Sequence, residues 1–176
     1  MTDNRNVIDY YKYWDTEAIK TNLDQKRNNF SVLVQNVIRD FNLGVVIRNS
    51  NAFLAKEVII YGHRQYDKRG TVGTYNYENI KHVKEVEQLV FPENYYIIGI
   101  DNIQESKPIE KYVYPSDKHI LFVFGEENVG LTDELKAICH EFLYIKQYGS
   151  VRSLNVGTAS GIVMYDFCKS VCWINS

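Results

Sequence analysis

From about residue 31 the chain alternates short apolar runs with stretches whose apolar residues recur at helical spacing. That alternation is what a parallel α/β sheet requires, because each parallel strand is reached by a crossover, usually a helix. The strands predicted are 31–36, 57–62, 95–102, 119–125 and 141–147, and the helices 43–53, 77–91, 132–140 and 154–173. Val58-Ile59-Ile60-Tyr61 and Ile120-Leu121-Phe122-Val123-Phe124 are apolar without alternation, so these strands should be covered on both faces, with helices on each side. Thr132, followed by Asp133 and Glu134, reads as a helix start, with a capping hydroxyl and two acids at the positive end of the helix dipole. The first 30 residues place Tyr10, Tyr11, Tyr13, Trp14, Ile19 and Leu23 at roughly helical spacing and read as a leading helix or two.

Length bounds this picture to one domain: 176 residues suffice for one substantial core, with 1–30 as its helical lead-in and 31–176 as its body. No apolar run approaches the roughly 18 residues of a membrane span, and the N-terminus lacks the apolar core of a secretory signal, so a cytoplasmic protein with no membrane partner is expected. Cys139, Cys168 and Cys172 are odd in number. They suggest no disulfide framework, and Cys168 and Cys172 have no second Cys/His pair at zinc-like spacing, so no metal site is expected.

Charge changes the picture more. The net charge of −2 hides a segment, 61–84, in which Arg64, Lys68, Arg69, Lys81 and Lys84 face only Asp67 and Glu78, with His63, His82 and four tyrosines interleaved. Basic side chains track a phosphate backbone and aromatic rings stack on bases, so Arg64, Lys68 and Arg69 are candidate RNA contacts; the alternative is a solvated surface loop.

Chemistry concentrates at three places. Asn42-Leu43-Gly44-Val45-Val46-Ile47-Arg48-Asn49 puts Arg48 in a mostly apolar helix, near its buried stripe, where a guanidinium needs an anion or a carboxylate such as Glu127. A structural salt bridge is the alternative reading. Phe124-Gly125-Glu126-Glu127-Asn128-Val129-Gly130-Leu131 closes a strand and opens the next helix, a common ligand position in α/β folds. It has neither the glycine fingerprint of a dinucleotide fold, which disfavours an oxidoreductase, nor the Lys-Ser/Thr of a phosphate loop. Gly149-Ser150-Val151-Arg152-Ser153-Leu154-Asn155-Val156 leads into the most apolar helix, with Ser153 as its expected cap and Asn155 in the first turn. The small residues from Gly157 to Gly161 mark a packing seam, read here as a subunit interface.

In order and spacing these segments resemble the three motifs of the SpoU/TrmH branch of the SPOUT RNA methyltransferases. The resemblance covers roughly residues 30–174. It implies a parallel sheet whose C-terminal third forms a deep trefoil knot, S-adenosylmethionine as cofactor with S-adenosylhomocysteine as product, a homodimer packed through its first and last helices, and methylation of a ribose 2′-hydroxyl in RNA. It further implies catalytic roles for Arg48, Asn42, Glu127, Ser153 and Asn155, and a cofactor site around Ile100, Phe124, Gly125, Gly130, Ile145, Ser153 and Leu154. Glu126 and Asn128 depart from the family pattern, which usually has a small or neutral residue and a glycine there. A tRNA substrate is favoured over rRNA, because nothing in the chain suggests an anchor for a large ribosomal particle. A non-catalytic RNA-binding protein on the same scaffold is the alternative of another class. In-line displacement at a sulfonium methyl depends on geometry and electrostatics, and a guanidinium is a poor proton acceptor, so Arg48 is expected to act as an electrostatic clamp rather than a base.

Overall fold

Strands β1 (Phe30–Gln35) and β6 (His119–Phe124) are buried at every position and lie side by side at the centre of the sheet. The structure, a computed structural model, describes residues 3–35, 41–63, 66–126 and 129–173. Within them a seven-stranded sheet runs in the order β3-β2-β1-β6-β4-β7-β5, with every pairing parallel. The remaining strands are β2 (Val58–Tyr61), β3 (Ile80–Val83), β4 (Tyr95–Ile100), β5 (Lys107–Pro108) and β7 (Glu141–Tyr144).

The non-alternating runs have a direct physical cause. Phe30, Val32 and Val34 of β1 and Ile120, Phe122 and Phe124 of β6 enter one core cluster, while Leu33, Leu121 and Val123 enter another on the opposite face. Helices α2 (Phe41–Ala52) and α4 (Val156–Phe167) supply the first cluster with Val46, Ile47, Val163, Met164 and Phe167. Helix α3 (Asp133–Ile138) supplies the second with Leu135. Both faces are thus covered, as the sequence predicts. After α4, residues Cys168–Cys172 continue as a π-helical turn. The three cysteines are unpaired.

The leading segment holds one helix, α1 (Thr16–Asp24), capped by Asp15, whose side chain accepts from the Ala18 amide at 2.7 Å. Its Ile19 and Leu23 form a small cluster with Tyr11 and Tyr77. A buried ion pair secures the junction that follows: Arg27 Nη1 lies 2.7 Å from Glu78 Oε2, and Asn51 donates to the same carboxylate at 2.7 Å.

Two expectations fail here. The helix predicted over 77–91 is absent; β3 pairs with β2, Val58 opposite Ile80, and a short 3-10 turn follows at Val86–Gln88. Thr132 does precede α3, but its hydroxyl makes no capping bond and is buried with no partner among the described residues.

Candidate active site

The three sequence segments each follow the C-terminal end of a strand, β1, β6 and β7 in turn. Ile100 ends β4, Gly125 follows β6 and Ile145 follows β7, three neighbouring strands, so their backbones share one rim of the sheet. Phe124 is different. Its side chain is 1% exposed and belongs to the core, so at this position it is the backbone that could meet a ligand.

The loop after β6 is folded tightly across the strand end. The Glu126 amide donates to the Gly130 carbonyl at 3.2 Å, and the Gly130 amide returns a bond to the Glu126 carbonyl at 2.8 Å. A Cβ on Gly125 would lie 2.2 Å from the Gly130 carbonyl carbon, and Gly130 itself has φ +73, so the loop requires glycine at both places. Asp101, just beyond β4, aims its carboxylate at the same turn and accepts from the Leu131 amide at 3.2 Å. Sequence reasoning passed over Asp101, although an acid ending an apolar strand run is a usable signal. Glu127 and Asn128 lie outside the described residues, so the expected pairing of Arg48 with Glu127 does too.

Helices α2 and α4 bring the first and third segments together. Asn155 Nδ2 donates to Asn42 Oδ1 at 2.8 Å, while Asn155 Oδ1 accepts from the Thr158 amide at 3.2 Å and caps α4. The cap is therefore Asn155, two residues later than the expected Ser153, which lies exposed in the preceding loop. Both residue types cap well; Asn155 also gains the bond to Asn42, which a hydroxyl at 153 does not make. Asn49 locks the helices further along, donating to the Gly157 carbonyl at 2.8 Å and to Ser160 Oγ at 3.0 Å. An asparagine inside an apolar helix costs helix propensity, a signal of function or packing that the sequence offered at this position. The run from Gly157 to Gly161 is the other half of this seam: a Cβ on Gly157 would lie 2.9 Å from Val45 Cγ1, and one on Gly161 3.2 Å from Asn49 Nδ2. The seam thus joins two helices of one chain, not two subunits.

Arg48 also departs from expectation. Leu43, Val46, Ile47 and Ser50 form the buried i, i+3, i+4, i+7 stripe of α2, and one helical step beyond Ile47 carries Arg48 out to solvent, where it is exposed. Among the described residues it has no hydrogen-bond or ion-pair partner. It is an available cation beside the seam.

Of the expected RNA contacts, Arg64 lies outside the described residues. Lys68 and Arg69 are exposed in a 3-10 turn, Lys68–Thr71, that packs on α2 through a close approach of two glycines; a Cβ on Gly44 would lie 2.7 Å from the Gly70 Cα. Their charge is partly spent locally. Arg69 clasps Asp67, with Nη2 to Oδ2 at 2.6 Å, and the Lys68 ammonium sits 4.6 Å from the centre of the Tyr75 ring. Lys81 likewise pairs with Glu57 at 2.6 Å.

Among the described residues, three buried acceptor oxygens at this end of the sheet have no partner: Gln35 Oε1 at the end of β1, Glu126 Oε1 beyond β6 and Gln147 Oε1 beyond β7. A buried acceptor without a donor costs about 1–3 kcal/mol, so this rim is built to receive hydrogen-bond donors. Half-buried Ile100, Ile145 and Leu154 add apolar surface. No group of three or more His, Cys, Asp or Glu placed to hold a metal occurs among the described residues.

A model of the SpoU rRNA methylase family matches residues 29–165, which include all three segments. The chain belongs to that family. Over 51 residues it is 33% identical to the 23S rRNA (guanosine-2'-O-)-methyltransferase RlmB of Acinetobacter baylyi, a match spanning 29% of this chain and only 21% of that protein. Its fold is similar to that of the TrmH/SpoU tRNA modifying enzyme of A. aeolicus, with a TM-score of 0.75 at 24% identity, covering 88% of this chain and 83% of that one. It is also similar to the SpoU methyltransferase AviRb from Streptomyces viridochromogenes in complex with AdoMet, with a TM-score of 0.69 at 21% identity over 81% of this chain and 58% of the other.

Proposed function

We propose that this chain is an S-adenosylmethionine-dependent methyltransferase that modifies a ribose 2′-hydroxyl in RNA, with tRNA favoured over rRNA. The observation that carries the reading is the Asn155–Asn42 hydrogen bond, which joins the first and third family segments within the stretch that the family model matches. The tRNA preference is supported by the likeness to the A. aeolicus tRNA modifying enzyme, of which the chain covers most. The same resemblance supports a knotted C-terminal third in one domain of residues 31–176, with 1–30 as its lead-in.

The rim fits the cofactor. Its unpartnered acceptors, Gln35, Glu126 and Gln147, suit the amine and ammonium donors of S-adenosylmethionine, and Ile100, Ile145 and Leu154 suit the face of its adenine. Backbone at Gly125, Gly130 and Ser153 completes the cradle, where a side chain on Gly125 would strike the Gly130 backbone and open the loop. When bound, the cofactor supplies a methyl group on a cationic sulfur. Arg48 neutralises the charge that develops on the attacking 2′-oxygen and holds the adjacent phosphate, while the proton passes to phosphate or water. Asn155 and Asn42 fix α4 against α2 and so set the distance between cofactor rim and Arg48; Glu127 and Ser153 complete the polar surround.

A homodimer is part of the proposal. With the glycine seam used inside the chain, support comes from apolar groups left outside: Phe41 is 53% exposed, and Tyr165 and Trp173, in edge-to-face contact at 5.4 Å, are 52% and 47% exposed.

The direct test is incubation with isotopically labelled S-adenosylmethionine and unmodified tRNA or rRNA, followed by mapping of alkali-resistant ribose positions. Label at a 2′-oxygen of tRNA is expected; cofactor binding without methyl transfer to any RNA would favour the non-catalytic alternative.

A further inference from the structure

A second group of exposed basic residues lies outside the basic segment 61–84. The chain from 41 to 56 and the chain from 142 to 165 contain no aspartate or glutamate, although the whole protein carries 22 acids against 20 lysines and arginines. These two stretches are the ones that the Asn155–Asn42 bond and the Gly157–Val45 contact hold together. Between them they expose Arg48, Lys56, Lys146 and Arg152, and the last two share the loop between β7 and α4. Neither Arg48 nor Arg152 has a hydrogen-bond or ion-pair partner among the described residues, whereas Arg69 and Lys81 are paired with carboxylates.

The loop between β7 and α4 also carries an aromatic ring in the open. Tyr148 is 87% exposed, with only the Lys146 ammonium over its face, 5.2 Å from the ring centre. A contact of that kind at an exposed site is weak and can be exchanged for another. Val151 beside it is 64% exposed. An exposed aromatic ring next to cations, in a stretch of chain that carries no acid of its own, is the combination that holds unpaired nucleotides, the ring by stacking and the cations by phosphate contact.

We infer that the β7–α4 loop is the part of this protein that grips its RNA: Tyr148 stacks on an unpaired base next to the target ribose, and Arg152 and Lys146 hold the flanking phosphates. This rests on the RNA methyltransferase reading and goes beyond it by assigning substrate contact to residues outside the three family segments' catalytic positions. It also moves the main contact away from Lys68 and Arg69. The ligand is an RNA with unpaired nucleotides, a loop rather than a continuous duplex.

The experiment measures equilibrium binding of a fluorescently labelled RNA stem-loop, and of a blunt RNA duplex of equal length, to the full chain with S-adenosylhomocysteine present. Tyr148→Ala should weaken stem-loop binding about tenfold, the order expected for one lost base stack, and Tyr148→Phe should restore it to within about twofold. Duplex binding should be weaker and indifferent to either change. Arg152→Gln should lower the slope of log affinity against log salt by about one contact, and Lys68→Gln should leave it unchanged. Cofactor affinity by calorimetry and thermal midpoint accompany each variant, since a loop that failed to fold would lower both. If the wild-type chain methylates RNA but Tyr148→Ala and Arg152→Gln bind the stem-loop as it does, the inference is overturned and the methyltransferase reading stands. If the wild-type chain neither binds nor methylates RNA, both fall.

Discussion

Arg48 shows how much a single position decides. It is exposed and unpaired among the described residues, so no described contact of the fold uses its charge, and the role proposed for it is separable from stability. Arg48→Ala should therefore leave the thermal midpoint and cofactor affinity near wild type while lowering single-turnover methyl transfer by at least ~100-fold, the usual scale for a lost transition-state charge partner. Arg48→Lys should recover little, because an ammonium lacks the planar fork. Activity within threefold of wild type in the alanine variant would end this assignment. His119 tells a second story at the same scale. Its Nε2 lies 2.8 Å from Ser31 Oγ and its Nδ1 2.7 Å from Asn29 Oδ1, and the Asn29 amide nitrogen donates to the Lys118 carbonyl, which fixes the amide so that Nδ1 is the protonated nitrogen. Burial depresses the imidazole to about 4. A histidine whose folded value lies below its unfolded one contributes stability above the unfolded value, near 6.5, and loses it as the pH falls toward 4. Stability by denaturant titration should fall between those limits by up to about 1.4 kcal/mol per pH unit from this group, and His119→Gln should flatten that slope.

At the scale of elements, the strands were legible and one crossover was not. The doubly buried β1, β2 and β6, and the cores of β4 and β7, announce themselves by continuous apolar runs, because burial on both faces leaves no room for polar alternation. β3 is four residues long at the sheet margin, with two exposed positions, and only its register with β2 makes it a strand. A short edge strand of that kind has no local signature, and the neighbouring apolar residues mimic a helical period instead. The site was legible in the same uneven way. Asn42, Gly125, Gly130 and Asn155 stand out as polar or glycine residues beside apolar runs, whereas the exposure of Arg48 depends on which side of α2 meets α4, a fact set by residues about a hundred positions away. The seam itself is testable: Gly157→Leu should push α4 from Val45 and destabilise the fold by about 2 kcal/mol or more, an overpacking cost, read as a lower urea midpoint. Arg27→Met should cost more, about 3–5 kcal/mol, by leaving Glu78 buried without its cation. Burial, outweighing Arg27, already pushes the Glu78 carboxyl above its ordinary range. The loss in Arg27→Met should accordingly shrink as the pH is lowered and the carboxyl takes up a proton.

For the whole molecule, the exposed Phe41 and Tyr165 belong to α2 and α4, and Trp173 follows the turn that extends α4, so association through them would bring two candidate sites close together. Light scattering at micromolar concentration should give twice the 20.6 kDa of the chain, and Tyr165→Glu with Trp173→Glu should halve the measured mass. A fully active species of 20.6 kDa would refute the dimer. One consequence concerns the chain as it is made. The hydrogen bond that joins the two halves of the site spans 113 residues, and its distal partner, Asn155, is also the residue that starts α4. During synthesis, every strand of the sheet leaves the ribosome before that asparagine does. A nascent chain stalled ahead of Asn155 would carry Arg48 and the glycine loop yet lack the bond that ties α4 to α2, so the two helices can be clasped only in the last stage of synthesis.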